Sequence, residues 1–250
     1  MTTVGIVGGI APASSMDYYR LLIDRYRAAR PDGSYPSILL NSIDLQRFLT
    51  LVEGPDRGPL IEYLLPEVGR LARAGADFAL FASNTPHLVF DELAARSPIP
   101  LLSIVEATAR AAQARGLRHL GLLGARFTMD GGFYPAVFGR LGLTVSTPSA
   151  EDREYVHDRY FAELVKGIFL PATRLGMLAV IERLQRQTGI EGVILGGTEL
   201  PLLFRGGEES GVPMLDTTII HVESAVAALL AWDSARPADL QSNMNPRIAS

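Results

Sequence analysis

Phe81-Ala82-Ser83-Asn84-Thr85-Pro86-His87 and Leu195-Gly196-Gly197-Thr198-Glu199-Leu200 are built on one plan. Each continues an aliphatic run that reads as a buried strand. Each then sets small or hydroxyl residues where the strand gives way to a turn or helix. Around them, short apolar runs alternate with longer stretches of 3.6-residue period, the pattern of an α/β architecture with parallel strands. Strands are predicted over residues 4–7, 37–41, 78–82, 101–103, 120–123, 143–146, 192–195 and 214–215. Helices are predicted over residues 13–30, 60–73, 88–95, 106–115, 155–166, 174–187 and 222–232. In the first helix Met16, Tyr19, Ile23 and Tyr26 form an apolar stripe, and Pro12 sits near the start, where it is tolerated. The second contains Pro66, and Gly75 is a natural stop for it.

The chain also repeats itself. Gly5-Ile6-Val7-Gly8 recurs as Gly121-Leu122-Leu123-Gly124, 116 residues on, and Ser83 and Gly197 stand 114 residues apart. Two motif pairs at nearly one offset predict two similar α/β halves, a duplication rather than a solenoid, whose repeats are shorter. Halves that face each other bring the carboxyl ends of both sheets to a shared cleft, where open α/β sheets bind ligands.

At 250 residues and 48% hydrophobic, the chain can bury one or two sizeable cores. A net charge of −4 and a pI near 5.6 carry no footprint of a nucleic-acid partner. The arginines fall at the spacings of solvated helix faces. No apolar run approaches the ~18 residues of a membrane span. The opening residues lack the basic, apolar and cleavage regions of a signal peptide, so a cytoplasmic location is expected. Zero cysteine excludes disulfides, thiolate metal sites and thiol catalysis together. His87, His119, His157 and His221 show no metal-ligand spacing. Residues 234–250, polar and carrying two prolines, are expected to form a loose tail.

Chemistry concentrates at the strand ends. Gly8-Gly9-Ile10-Ala11-Pro12 follows a strand and opens a helix, so its backbone amides suit a carboxylate or phosphate, or simply a tight turn. It has neither the dinucleotide fingerprint nor a Gly-Lys-Ser/Thr element. Asn84, Thr85 and Thr198 suit an oxyanion hole for a carboxylate whose charge grows on enolisation. The same residue types also serve as turn formers and helix caps. Glu199 and His87 are the titratable groups of the two motifs. A carboxylate in a dry cleft has its pKa raised and serves as acid or base; the structural alternatives are a buried acceptor and a backbone-bonded imidazole. Arg47 is a candidate two-pronged carboxylate clamp. Lys166 at a helix end complements the helix dipole.

These motifs resemble those of the aspartate/glutamate racemase superfamily, in its aspartate-racemase-like branch, where they read roughly Cys-Asn-Thr-x-His and Gly-Cys-Thr-Glu. The resemblance continues through several ordered motifs to about Trp232. It implies two pseudo-symmetric three-layer α/β domains with parallel sheets and an interdomain cleft, over residues 1–103 plus 217–233 and residues 104–216. It also implies an isomerase of amino-acid metabolism that needs no metal or organic cofactor, acts on a small amino- or dicarboxylate and forms a homodimer. By the same resemblance Gly9 edges the active site and Thr128 and Tyr134 line the cleft. Lys166, in Glu163-Leu164-Val165-Lys166-Gly167, contacts a second substrate carboxylate.

The departure lies at the catalytic pair, because Ser83 and Gly197 stand where the family has two cysteines, one taking a proton and the other returning one. A thiol of pKa ~8.5 yields a usable thiolate. A serine hydroxyl is far less acidic and needs a neighbouring base, and glycine offers no side chain. The expectation is an enzyme that passes through an enolate-like intermediate by some route other than the two-cysteine one. Lyase-type or other isomerase chemistry and non-catalytic carboxylate binding are the alternatives on the same scaffold. Restoring both thiols, Ser83→Cys with Gly197→Cys, is expected to raise racemase activity if the cleft is kept.

Overall fold

Two parallel sheets of four strands carry the chain, and the computed structural model describes residues 1–204 and 211–235. The first half runs β1 (Thr3–Gly8), α1 (Pro12–Ala29), β2 (Ser37–Ser42), α2 (Leu45–Glu53), α3 (Gly58–Arg73), β3 (Phe78–Phe81), α4 (Phe90–Arg96) and β4 (Leu101–Leu102). There follow α5 (Ile104–Ala114), β5 (His119–Leu123), α6 (Arg126–Met129), α7 (Phe133–Arg140), β6 (Thr144–Ser146), α8 (Ala150–Ala162), α9 (Pro171–Thr188), β7 (Gly192–Leu195), α10 (Leu200–Leu203), β8 (Met214–Asp216) and α11 (Thr217–Ala235). Strand order is β2-β1-β3-β4 in one sheet and β6-β5-β7-β8 in the other, so the halves share one topology.

The repeat holds down to single hydrogen bonds. Ala82 N–H donates to Val7 C=O at 3.0 Å past the end of β3, and Gly196 N–H donates to Leu123 C=O at 2.7 Å past the end of β7. The repeated glycines also share a physical reason. A Cβ on Gly5 would lie 3.1 Å from Leu71 of α3, and one on Gly121 would lie 2.8 Å from Leu184 of α9. Each lets a helix settle against the central strand. β3 and β7 are buried at every position, which is why they read as continuous apolar runs and not as alternating ones.

The first helix turns a different face inward from the one predicted. Tyr18, Leu22 and Tyr26 are buried, while Met16 is 63% and Tyr19 45% exposed. Residues 16, 19, 23 and 26 and residues 18, 22 and 26 are both helical rows, so spacing alone does not choose between them. Small Ser14 and Ser15 share the buried face and let the helix approach the sheet. Predicted helix 155–166 instead starts at Ala150, where the Ser149 side chain accepts from Asp152 N–H. It ends at Ala162 and is followed by a 3₁₀ turn, Leu164–Lys166, closed by Gly167 at φ 74°. The segment predicted as helix 88–95 opens as a 3₁₀ turn, Thr85–Val89. Helices α2, α6, α7 and α10 were not predicted. α11 continues through Ala235, and residues 236–250 of the expected tail lie outside the described residues. No helix among the described residues is long and apolar enough to cross a membrane.

α11 returns to the first sheet, where Val222, Ala225, Val226 and Leu229 join Val4, Ile6, Tyr18 and Leu22 in one core cluster. Phe127, just past β5, packs against the cores of both halves. Gly9 marks the tightest point of the first half. It has φ 90°, and a Cβ there would sit 2.4 Å from Ile43 O. Gly9→Ala is expected to cost about 2–3 kcal/mol of unfolding free energy, from backbone strain together with overpacking. Urea denaturation of the two proteins measures it, and equal midpoints would contradict this account.

Candidate active site

In each sheet the chain leaves the central strand (β1 or β5) to one side and returns on the other side as β3 or β7. This is the switch point at which strand carboxyl ends open a crevice. Both crevices face the same cleft. Ile10, Ala11, Ser83 and Thr85 reach it from the first half, while Gly9 lies just before them against Ile43, and Ala125 and Glu199 reach it from the second. The result is a narrow cavity of about 30 Å³ whose polar lining is Ser83, Thr85, Tyr160 and Glu199.

Glu199 is the most constrained of these. It is 1% exposed. Its Oε2 accepts a short hydrogen bond from the Tyr160 hydroxyl and another from Thr198 Oγ1 at 3.1 Å. Its Oε1 is buried without a hydrogen-bond partner. Burial pushes the Glu199 carboxyl above the ordinary range, and the Tyr160 and Thr198 hydroxyls pull in the opposite direction. The Ala11 N–H on the opposite lip also favours the charged form, without closing a hydrogen bond to Oε1. Burial, then the charge of Glu199, holds the Tyr160 hydroxyl well above its usual pKa, so it stays a donor.

Tyr160 also explains Gly197. A Cβ at residue 197 would lie 2.5 Å from Tyr160 Cε2 and 2.8 Å from its hydroxyl oxygen. The ring of α8 occupies the space a side chain on the β7 turn would need. Gly197→Cys alone is therefore expected to destabilise the fold by about 1–3 kcal/mol, with Tyr160→Ala relieving most of that cost in a double-mutant cycle. Additive effects would show that the two positions do not share space. The expectation that two restored thiols suffice is corrected accordingly, since the second has no room while Tyr160 stands.

The remaining predicted residues divide between the cleft and other places. Ser83 and Thr85 line the cavity. Asn84 lies just behind, in a buried network that ties the halves together. Tyr134 OH donates to Asn84 Oδ1 at 2.7 Å, Asn84 Nδ2 donates to Thr217 Oγ1 at 3.3 Å, and Thr217 Oγ1 donates to Leu195 C=O at 2.8 Å. Thr198 gives its hydroxyl to Glu199. Thr128 is buried against Gly124 and Gly196 and is not among the lining residues.

His87 faces away from the cavity. Its Nδ1 lies 3.2 Å from Asn84 O, its Nε2 3.1 Å from Ser103 Oγ, and its ring stacks on Phe90 at 4.4 Å. It borders a separate pocket of about 290 Å³. Burial followed by the nearby His221 lowers its pKa to about 3, so the ring is neutral, and because Nδ1 faces a carbonyl its proton sits there. Arg47 is exposed and lies over the Tyr63 ring, 4.7 Å from its centroid, because α2 turns Leu45, Phe48 and Leu49 towards the cavity and Arg47 outward. Lys166 is exposed on the 3₁₀ turn whose Val165 lines the cavity. Tyr160 was missed as a site residue. Its one signal in the sequence is a glycine where a larger residue was expected, since a missing side chain has to be filled by a neighbour.

A duplicated two-lobed α/β scaffold that brings Ser83 and Thr85 from one half and Glu199 from the other to one cleft defines the class of protein. The chain belongs to the Asp/Glu/hydantoin racemase family, whose model matches residues 7–225. It is 34% identical to an aspartate racemase homologue from Pyrococcus horikoshii OT3, over 92% of this chain and 100% of that one, with a TM-score of 0.79. The Picrophilus torridus aspartate racemase shares the fold at 20% identity and a TM-score of 0.70, over 94% of this chain and 95% of that one. The broad specificity amino-acid racemase RacX of Bacillus subtilis (strain 168) is 21% identical over 92% of this chain and its own full length.

Proposed function

We propose that the protein is an enzyme that labilises the proton α to a carboxylate, without an organic cofactor, with Glu199 as the group that takes it and can return it on one face. One observation carries this reading: a buried carboxyl lines the cleft with one oxygen fixed by two hydroxyls and the other unpartnered. A carboxyl whose pKa is raised by burial is a stronger base when ionised than one in water, and it can still return the proton. The C–H electron pair passes into an enolate of the substrate carboxylate. Ser83 and Thr85 are the hydroxyl donors that the first half brings to the cavity, where they oppose the growing oxyanion charge. Tyr160 stands in the space of the second thiol and holds Glu199 in place. The site lies between a unit of residues 1–103 plus 217–233 and a unit of residues 104–216.

Ser83 carries no strong base to face Glu199, which favours exchange or lyase-type chemistry on one face over rapid racemisation and leaves carboxylate binding without turnover as a second reading. Proton NMR in D₂O over a panel of α-amino acids, both enantiomers of each, together with maleate and substituted malonates, tests the proposal. Loss of α-proton signal supports it. Ligand line-broadening with every α-proton retained and no product would support the binding reading in its place.

A further inference from the structure

We infer that the cleft selects a monocarboxylic acid with an apolar substituent at the α-carbon, such as an aliphatic or aromatic α-amino acid, over aspartate or glutamate. The inference rests on the reading that this cleft is the catalytic site. Its walls are Leu45, Phe48 and Leu49 of α2 on one side and Phe161 and Val165 on the other, with Ile10 on the glycine-rich turn. Phe48 and Ile10 are buried, whereas Leu45, Leu49, Phe161 and Val165 are only partly covered and keep apolar surface for an occupant.

Among the described residues, no lysine or arginine lines the cavity. Arg47 is spread over Tyr63, and Lys166 is exposed beside Val165. Glu199 is the one acidic side chain in the lining among the described residues. A substrate with two carboxylates has one to place on the Ser83 and Thr85 hydroxyls. Its second would be buried among leucine, phenylalanine and valine, with no cation among the described lining residues and with a carboxyl nearby. Burying an unpaired charge is heavily disfavoured, while an alkyl or aryl group gains from covering those same walls.

The test compares L- and D-leucine and L- and D-phenylalanine with L- and D-aspartate and glutamate. It reads α-proton exchange in D₂O and, in parallel, saturation-transfer binding, for the native protein and for Leu49→Arg. The apolar acids are expected to bind or exchange about 100-fold better than the diacids in the native protein. Leu49→Arg, at a half-buried wall position, is expected to shift the ratio towards aspartate by about 10-fold or more. Aspartate or glutamate equal to or better than leucine and phenylalanine in the native protein would overturn the inference while leaving the proton-transfer reading intact. Apolar acids that bind preferentially but never exchange would uphold it and overturn that reading. No binding of any of these acids would overturn both.

Discussion

Glutamine at position 199 is expected to cut α-proton exchange by about 10²- to 10⁴-fold, the usual worth of a positioned general base, and to leave ligand affinity nearly unchanged. The amide oxygen still accepts from Tyr160 and Thr198, so the local packing survives, but no group remains to take the proton. Exchange by the native protein should rise with pH through the Glu199 pKa, which burial lifts above the ordinary carboxyl range. The Tyr160 hydrogen bond favours the charged form. Tyr160→Phe should therefore move that rise to higher pH, a signature that general loosening of the fold would not give. Native-like exchange by a folded Glu199→Gln protein would remove Glu199 from the chemistry.

Resistance to urea is expected to fall steeply as pH drops from about 6.5 towards 4. Burial holds His87 at about 3 and His221 at about 4, with His221 adding to the effect on His87. His221 Nε2 lies 3.1 Å from Leu102 O and its Nδ1 2.9 Å from Tyr18 OH, so this ring too is neutral in the fold. The unfolded chain takes up both protons near ~6.5. With folded pKa values depressed, the stability the neutral rings contribute is complete above that pH and is lost as pH falls towards the folded values. Each ring loses about 1.4 kcal/mol per pH unit across that window. Glu199, with its pKa raised, acts with the opposite sign. The diagnostic is therefore His87→Gln, which should flatten the slope by one proton's worth. An unchanged slope would mean that His87 already carries its charge in the native state.

The architecture was legible because the central strands are buried on both faces. Runs such as Phe78–Phe81 and Gly192–Leu195 have no polar residue to hide them, and the glycines at 5 and 121 mark close helix contacts that the duplication had to keep. The short helices were not legible. α6 and α10 have four residues each, too few to show a period, and α2 is read only once the Asp44 cap is recognised. At the candidate site, Ser83, Thr85 and Glu199 followed from strand ends, which topology alone places at the cleft. His87 belongs to the motif and Arg47 has the chemistry of a carboxylate clamp, yet the first turns to another pocket and the second lies over Tyr63, while Lys166, expected from the resemblance, is exposed beside Val165. Tyr160 lies 37 residues before Gly197 on another element, and only three dimensions bring the two together.

That pairing constrains how the protein can change over generations. With the phenol ring of Tyr160 filling the place beside residue 197, every single substitution there meets a clash, whichever side chain it introduces. A smaller residue at 160 must come first, and that step strips Glu199 of a hydroxyl partner before any compensating gain exists. Steric order thus acts as a one-way gate in sequence space. Variants selected for new activities should alter position 160 before position 197, and the reverse order should be rare among survivors.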